Sequence, residues 1–502
     1  MELFNDILLG FSVALTPANL FYGFLGVLLG TVIGVLPGLG PVATISILLP
    51  VTFALPAPAA LIMLAGIYYG AQYGGSTTAI LVNLPGESSS VVTAIDGYQM
   101  ARKGQAGLAL ATAALCSFIA GTLATVVIAV AAPALAEVAL DFGPADYFSL
   151  MLFGLVAAVI LAHGSIVKAI GMILVGILLG TIGIDANTSV ERYTFGIPAF
   201  GDGIDFAVIA MGMFGIGETI SNLGQKEAER SFVKEVRGLW PRWADFRRFV
   251  PPALRGTALG GALGLLPGGG PVLASFSTYA LEKKLSRTPG EFGKGAIAGV
   301  AGPEAANNAA AQTAFIPMLT LGLPSSAVMA LMIGALMMQG LSPGPQLMNQ
   351  RPDLFWGLIA SMWLGNLMLV VLNLPLVGIW VKLLSVPYRM LYPAIMLFCC
   401  IGVYSINNNA LDVVMAALFG AFGYLMKRLH CEPAPLLLGF ILGPMIEETL
   451  RRALLISHGD PMVFVQRPIS LSFLVLTVLL LVVLVAPMIR VTRRRAFEES
   501  TD

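Results

Sequence analysis

The sequence predicts an all-α, polytopic transmembrane helical protein with two sequence-related, inverted repeats and broken or re-entrant helices. Three observations predict it: the composition, a row of apolar blocks, and a glycine–proline motif that occurs twice. Of 502 residues, 57% are apolar and only 11% charged, and mean hydropathy is +0.86. Soluble domains run near ~45–50% apolar and ~25% charged. A water-soluble fold of this size lacks the charge to cover its surface, so lipid is the natural solvent. A spanning helix needs roughly 20 apolar residues, leaving room for about ten to thirteen spans. The net charge of zero speaks against a nucleic-acid partner.

Taken in order, the stretch from Met1 to Ala14 lacks a basic n-region and carries Glu2 and Asp6. It reads as a short interfacial helix rather than a cleavable signal. Apolar blocks follow near 18–36, 41–56, 57–81, 107–133, 147–162, 165–184 and 205–222. Others lie near 254–280, 295–321, 325–340, 354–384, 391–406, 411–428, 434–448 and 469–489. Several are too short or too broken to cross a bilayer alone, which predicts half-helices. Residues 224–255 carry Lys226, Arg230, Lys234, Arg237, Arg242, Arg247, Arg248 and Arg255, and the tail carries Arg490 and Arg493 to Arg495. Short loops rich in Lys and Arg belong in the cytoplasm. No Lys or Arg precedes Arg102, so the N-terminus is expected outside and the C-terminus inside. The organisation is thus a first transmembrane half over 1–223, a cytoplasmic basic linker over 224–255, a second transmembrane half over 256–450, and a final span with a basic cytoplasmic tail over 451–502. Cys116, Cys399, Cys400 and Cys431 sit in apolar surroundings without metal-ligand spacing and read as small core hydrophobes.

The duplicated motif carries most information. Gly34-Val-Leu-Pro-Gly-Leu-Gly-Pro-Val42 recurs as Gly264-Leu-Leu-Pro-Gly-Gly-Gly-Pro-Val272, and Gly30 pairs with Gly260 at the same offset of 230 residues. A looser echo follows each copy. Thr78-Ala79 leads to Leu84-Pro85 and Ser88 to Ser90, and Thr313-Ala314 leads to Leu323-Pro324 and Ser325-Ser326. With the second copy starting from the cytoplasmic linker and the first from an outer N-terminus the repeats are inverted, a common plan for secondary transporters, and a cytoplasmic N-terminus would make them parallel.

Pro37, Gly38, Gly40 and Pro41, with Pro267, Gly268, Gly270 and Pro271, cannot continue a helix. Freed backbone groups at membrane depth must face protein or a wet cavity. A helix restarting after either proline aims its N-terminal N–H groups at that cavity, a geometry that binds a carboxylate without a cationic side chain. A tight turn that binds nothing is the alternative for a single copy. Beside the breaks lie Asn83, Ser88, Ser89, Ser90, Asn307, Asn308, Ser325 and Ser326 as candidate substrate-binding groups, and Thr77, Thr78, Gln312 and Thr313 as candidate sodium ligands. Polar packing between helices is the alternative for these. Glu87, Asp96, Glu218 and Glu304 are candidate cation ligands or proton carriers, with Asp96 and Glu218 expected at helix ends in the headgroup region. Lys168 and His163 both fall near a span edge, so no arginine clamp is expected. The sequence holds no His-Glu-x-x-His zinc pattern and no Gly-Lys-Ser/Thr after Gly264 to Gly270. Neither enzyme chemistry nor ATP energisation is expected.

At these motifs the chain resembles the large membrane subunit of the tripartite tricarboxylate transporter family, the TctA type. The resemblance rests on Gly34 to Pro41, Tyr69-Gly-Ala-Gln-Tyr-Gly-Gly-Ser-Thr-Thr78, Asn83-Leu-Pro-Gly-Glu87, Asp96-Gly-Tyr98, Gly264 to Pro271, Gly302-Pro-Glu-Ala-Ala-Asn-Asn308 and Leu321-Gly-Leu-Pro324. It implies import of citrate or another carboxylate across the bacterial inner membrane, driven by a cation gradient; polar uncharged ligands together with the resemblance make sodium the expected coupling ion, and proton coupling through Glu87 or Glu304 is the alternative. It also implies a small membrane subunit of about four spans and a periplasmic binding protein. Leu39 against Gly269 departs from identity and leaves the two half-sites unequal. An anion channel or passive carboxylate pore is the competing reading, and an intramembrane enzyme the third. The last needs a catalytic pair at depth that the sequence does not supply.

Overall fold

An apolar chain in lipid must satisfy its backbone internally, and helices do so within one segment. The computed structural model describes residues 2–36, 40–161, 165–185, 188–223, 236, 238–266, 270–384 and 388–485. Almost all of these are helical, and the only strands among them form one antiparallel pair, Gly183–Ile184 with Glu191–Arg192. Four helical stretches are long and apolar enough to cross a membrane: Pro17–Gly34, Ser88–Leu140, Pro352–Asn373 and Ala410–Arg428. Eight shorter apolar helices of 10–17 residues accompany them among the described residues. The protein is an all-α, multi-pass membrane protein.

The helices, in chain order, are α1 (Glu2–Ala14), α2 (Pro17–Gly34), α3 (Pro41–Phe53), α4 (Ala57–Val82), α5 (Val91–Met100) and α6 (Ala106–Leu140). They continue as α7 (Pro144–Leu161), α8 (Ile166–Gly180), α9 (Phe206–Ala210), α10 (Glu218–Leu223), α11 (Trp243–Gly264) and α12 (Gly270–Leu285). Next come α13 (Ile297–Thr313), α14 (Phe315–Leu321), α15 (Ala327–Met338), α16 (Gln346–Gln350), α17 (Pro352–Asn373) and α18 (Val377–Leu383). The last are α19 (Tyr388–Asn407), α20 (Ala410–Arg428), α21 (Pro433–Ile456), α22 (Val463–Gln466) and α23 (Pro468–Val485). They group into two compact units, Met1–Leu140 with Ile204–Pro433, and Asp141–Gly203 with Ala434–Asp502. The halves read from sequence, 1–223 and 256–450, divide the chain differently, since each contributes to both units.

In the larger unit, α4 and α13 form the centre. Every residue of α4 from Ala59 to Val82 is buried, as is α13 from Gly299 to Thr313. Protein surrounds both helices, which permits their polar side chains at membrane depth. Glycines set their distance from the neighbours. Gly26, Gly30 and Gly34 of α2 face the backbone of Met63, Ile67 and Ala71 in α4, while Gly256, Gly260 and Gly264 of α11 face Gly302, Ala306 and Ala310 in α13. A Cβ on Gly30 would lie 2.8 Å from Ile67 Cα, and one on Gly260 2.5 Å from Ala306 Cα, so neither position accepts a side chain. Members of the α2 and α11 series stand 230 residues apart, and those of the α4 and α13 series 239. The larger spacing also links Asn83 (φ 58°), which ends α4, to Gly322 (φ 69°), which ends α14. Both close their helices in the left-handed region, where glycine and asparagine are the usual residues.

Several sequence boundaries shift. The block expected over 254–280 is two helices, α11 and α12. That over 295–321 divides into α13 and α14, and that over 354–384 into α17 and α18. Residues 243–255, grouped with the basic linker from their charge, are the first turns of α11, opened by reciprocal bonding between Arg242 and Asp245. Pro37, Gly38, Leu39, Pro267, Gly268, Gly269, His163, residues 224–235, Arg237 and the arginines of the tail lie outside the described residues.

The smaller unit is held by polar bonds buried among α7, α8, α21 and α23. Asp146, fully buried, takes bonds from Arg467 Nε at 2.7 Å and Ser470 N at 3.0 Å. Gly176 of α8 packs on the Leu436 carbonyl and Gly439 of α21 on that of Ile173. Arg451 joins Asp185 at 3.0 Å and Glu447 at 2.6 Å.

Candidate functional site

Helix α4 ends at Asn83, and the chain returns through Leu84-Pro-Gly-Glu87 to a 3₁₀ turn, Ser88–Ser90. Two glycines permit the return: a Cβ on Gly86 would lie 2.5 Å from Gly75 Cα and 2.6 Å from the Gly34 carbonyl oxygen. This places the turn against α13 and α12. Asn307 Nδ2 donates to Ser89 Oγ at 2.9 Å and to Glu87 Oε1 at 3.2 Å, and Ser89 Oγ donates to the same carboxylate at 2.5 Å. Ala274, in the first turns of α12, packs on Ala306 beside Asn307. In a matching arrangement α3 packs on α15, whose N-terminus is capped by Ser326 accepting from Met329 N at 3.3 Å.

One turn along α13, Glu304 is 1% exposed and sits among hydroxyls from three other helices. Ser76 Oγ of α4 donates to Glu304 Oε1 at 2.7 Å, Thr93 Oγ1 of α5 donates to the same oxygen, and Ser117 Oγ of α6 reaches Oε2 at 3.3 Å. Asn308 Nδ2 bonds Ser117 Oγ at 2.7 Å and the Glu304 carbonyl at 3.0 Å. No ion pair among the described residues includes Glu304.

Several other buried polar atoms meet no hydrogen-bond partner: the hydroxyls of Tyr68, Tyr69 and Ser325, the Gln72 amide and Asn307 Oδ1. Tyr68 lies beside Gln72 but outside hydrogen-bond geometry. Each unmade bond in a dry interior costs about 1–3 kcal/mol. Such groups are rare in native proteins and collect where a ligand or ordered water completes them. Tyr68 and Tyr69 pack on Phe315 with ring centroids 6.5 and 6.1 Å away, so hydroxyls and amides here stand beside an apolar aromatic wall. The mixture suits an anionic organic ligand: donors for its oxygens and apolar surface for its carbon. At the Asn307 end Ser89 and Glu87 supply the polar contacts. Asn307 and Asn308 stand 239 residues after Tyr68 and Tyr69, the spacing of the glycine contacts on α4 and α13.

The remaining sequence candidates are placed as follows. Asn83 and Ser88 are exposed, Ser90 Oγ bonds the Glu87 carbonyl at 2.8 Å, and Gly40, Pro41, Gly270 and Pro271 stand half-buried at the starts of α3 and α12. Pro37, Gly38, Pro267 and Gly268 are not among the described residues. The hydroxyls proposed as sodium ligands are bonded to backbone carbonyls: Thr77 to Tyr73 at 3.2 Å, Thr78 to Val35 at 2.7 Å, and Thr313 to Ala309 at 3.0 Å. Gln312 Oε1 accepts from Thr125 at 2.5 Å. Glu218 is half-buried. Asp96, expected at a helix end in the headgroup region, is fully buried by protein: Oδ1 accepts from the backbone N–H groups of Gly293, Gly295 and Ala296 at 2.6–2.9 Å, and Tyr279 donates to Oδ2 at 2.9 Å. It closes the approach to α13, taking the N–H of the N-cap residue Ala296 and those of Gly293 and Gly295 in the loop before it.

Sequence reasoning passed over Tyr68, Tyr69, Gln72, Ser76, Thr93 and Ser117. Its only available signal for the first three was the density of polar groups in Tyr68 to Thr78, otherwise an apolar helix. A shallow cleft bordered by Ala14, Asn19, Gly23, Ser361 and Gly365 reaches Tyr69 itself. Asn19 and Ser361 there are already bonded to Val13 and Leu358 carbonyls, leaving few donors for an anion.

Residues 20–438 match the model of a family described as the tripartite tricarboxylate transporter TctA family. The chain is 60% identical over 500 residues, 99% of both chains, to an Agrobacterium vitis protein described as an uncharacterized 52.8 kDa protein in the TAR-I ttuC' 3' region. A second protein of the same organism, in the TAR-II ttuC' 3' region, is 60% identical over 240 residues, 48% of this chain and 99% of its own length. No solved structure matches.

Proposed function

The chain belongs to the tripartite tricarboxylate transporter TctA family, and on that premise we propose that it is the substrate-translocating subunit of a secondary active carboxylate importer. Its cargo is a tricarboxylate or other carboxylate anion, moved with a cation, sodium, across the bacterial inner membrane. A periplasmic solute-binding protein delivers the substrate, and a small membrane subunit of about four spans completes the assembly. The N-terminus is periplasmic and the C-terminus cytoplasmic.

The observation that carries this reading is the set of buried, uncharged groups with unused donors at Tyr68, Tyr69, Gln72 and Ser325, beside the Asn307 amide that is tied to Ser89 and Glu87. An anion held by neutral donors is released more readily than one paired with arginine, as a carrier requires. The paired glycine contacts at Gly26, Gly30 and Gly34 and at Gly256, Gly260 and Gly264 support two related halves. So does the mutual packing of α3 on α15 and of α12 on the Ser88–Ser90 turn. Inverted halves with interrupted helices are a recurrent basis for alternating access. In this reading the two interrupted helices, α2–α3 and α11–α12, are re-entrant elements whose restarts at Pro41 and Pro271 turn their dipoles toward the anion.

The test is uptake into proteoliposomes holding both membrane subunits, with the binding protein supplied and labelled citrate, other tricarboxylates and dicarboxylates as probes. Accumulation above the equilibrium level under an inward sodium gradient, lost when choline replaces sodium, is expected. Entry that stops at equal concentrations describes a passive pore and would overturn the proposal.

A further inference from the structure

We propose that Glu304, with Ser76, Thr93, Ser117 and Asn308, forms the binding site for the coupling cation, and that this cation is sodium. The inference rests on reading the chain as a cation-coupled carrier, and it gives the ion a location distinct from the threonines at the ends of α4 and α13. Those hydroxyls bond carbonyls and no carboxylate, whereas Ser76 bonds both the Gln72 carbonyl and Glu304.

Charge comes first. Glu304 is 1% exposed in the interior of a membrane protein, without an ion pair among the described residues. An ionised carboxylate there is costly unless a positive charge joins it. The donor set comes second. Oxygens of Ser76, Thr93 and Ser117 converge on one carboxylate from three helices, at 2.7 Å for Ser76 and 3.3 Å for Ser117. All these groups are hard oxygen donors, the kind that hard cations prefer over nitrogen or sulfur ligands. Among the described residues no group of three His, Cys, Asp or Glu is assembled for a transition metal.

Valence follows from the same shell. It offers one formal negative charge, which a monovalent ion neutralises and a divalent ion would overshoot in an apolar interior. Sodium rather than potassium follows from the proposed function, and Ser76 and Thr93 share one carboxylate oxygen of the shell. Glu87, the nearest acid on the neighbouring turn, is held separately by Ser89 and Asn307. Tyr73 and Cys116 are the other titratable groups around Glu304.

Position links ion to cargo. Asn308 bonds the Ser117 hydroxyl, while its neighbour Asn307 bonds Ser89 and Glu87 and leaves Oδ1 unpartnered. An ion that draws Ser76, Thr93 and Ser117 together ties α4, α5 and α6 to α13. It thereby sets the turn of α13 that carries both asparagines. Sodium binding and carboxylate binding then reinforce one another.

The experiment is thermal unfolding of the purified full chain in detergent, without carboxylate, titrated with sodium chloride at constant ionic strength against choline and potassium chloride. A ligand of the native state raises the melting temperature in proportion to its occupancy. Wild type is expected to show a saturable rise with sodium and none with potassium or choline. Glu304→Gln is expected to abolish it, and Ser117→Ala and Ser76→Ala each to raise the sodium midpoint at least tenfold. The two serine variants carry the test if Glu304→Gln fails to fold. A sodium response equal in wild type and variants overturns the proposal. So does a wild type indifferent to sodium whose melting shifts with pH through Glu304, which makes the coupling ion a proton. Because no substrate is present, either failure leaves carboxylate transport standing, and a failed uptake assay leaves the sodium titration informative.

Discussion

Asn307 donates one amide group to Ser89 Oγ at 2.9 Å and to Glu87 Oε1 at 3.2 Å, tying α13 to the turn that follows α4. The side chain is fully buried and its oxygen meets no partner. A residue that anchors two elements with its nitrogen and leaves its oxygen free is placed to report ligand binding from one part of the unit to another.

Asn307→Ala is expected to lower carboxylate uptake by roughly ten- to a hundredfold, the effect of losing about 1.5–3 kcal/mol of hydrogen bonding to a charged partner. Asn307→Asp should fall further, since it sets a second carboxylate against Glu87. Initial uptake rates normalised to inserted protein decide it, and unchanged rates in both variants contradict the assignment.

Tyr68→Phe and Ser325→Ala remove hydroxyls that have no partner in the fold. Deleting an unsatisfied buried group leaves stability equal or higher. Substrate affinity is nevertheless expected to weaken at least several-fold. Melting temperature and substrate half-saturation measured on the same preparations should therefore move independently; a fall in melting temperature with affinity preserved would give these hydroxyls a structural role only.

Asp96 presents the reverse case, a buried carboxylate whose partners are the backbone N–H groups that lead into α13. Asp96→Ala is expected to cost at least about 3 kcal/mol by stranding those donors. Asp96→Asn, which keeps one acceptor, should cost less. Thermal unfolding in detergent measures both, and equal stability of Asp96→Ala and wild type would contradict that role.

Gly30→Val and Gly260→Val force side chains into the α4 and α13 backbones and should sharply reduce folded yield. Gly171→Ala, where a Cβ meets nothing within 4 Å, is the tolerated control. Size-exclusion profiles in detergent separate the outcomes.

Gly38→Ala, Gly268→Ala and Asn308→Ala are expected to abolish accumulation while leaving membrane insertion intact. The two glycines lie outside the described residues, so their assignment rests on the duplicated motif, whereas Asn308 bonds Ser117 in the Glu304 cluster. Full transport by all three variants contradicts it.

Much of this arrangement was legible in the residue pattern. An amide pair such as Asn307-Asn308 in an apolar run signals a polar site because burying it otherwise is costly, and the glycine–proline pairs mark where helices end. Tyr68 and Tyr69 were not legible, since a tyrosine on an apolar helix reads equally as packing, and only the fold shows whether its hydroxyl is bonded. The partners of Asp96 were not legible for a related reason: they are backbone groups some 200 residues away, and no spacing rule reveals them. The echo paired Thr78-Ala79 with Thr313-Ala314 and Leu84-Pro85 with Leu323-Pro324 at unequal gaps, and the left-handed residues Asn83 and Gly322 and the glycine contacts share the spacing of the second pairing. The connection between α12 and α13 is longer than that between α3 and α4, which hid this register.

The most direct measurement is equilibrium binding of radiolabelled carboxylate, citrate and the dicarboxylates in turn, to the purified chain and to a Tyr68→Phe, Asn307→Ala, Ser325→Ala variant of matched melting temperature. Binding by wild type, weakened at least a hundredfold in the variant, is the predicted result. Equal affinity in the two proteins would place the anion elsewhere and contradict the assignment of these groups to the cargo.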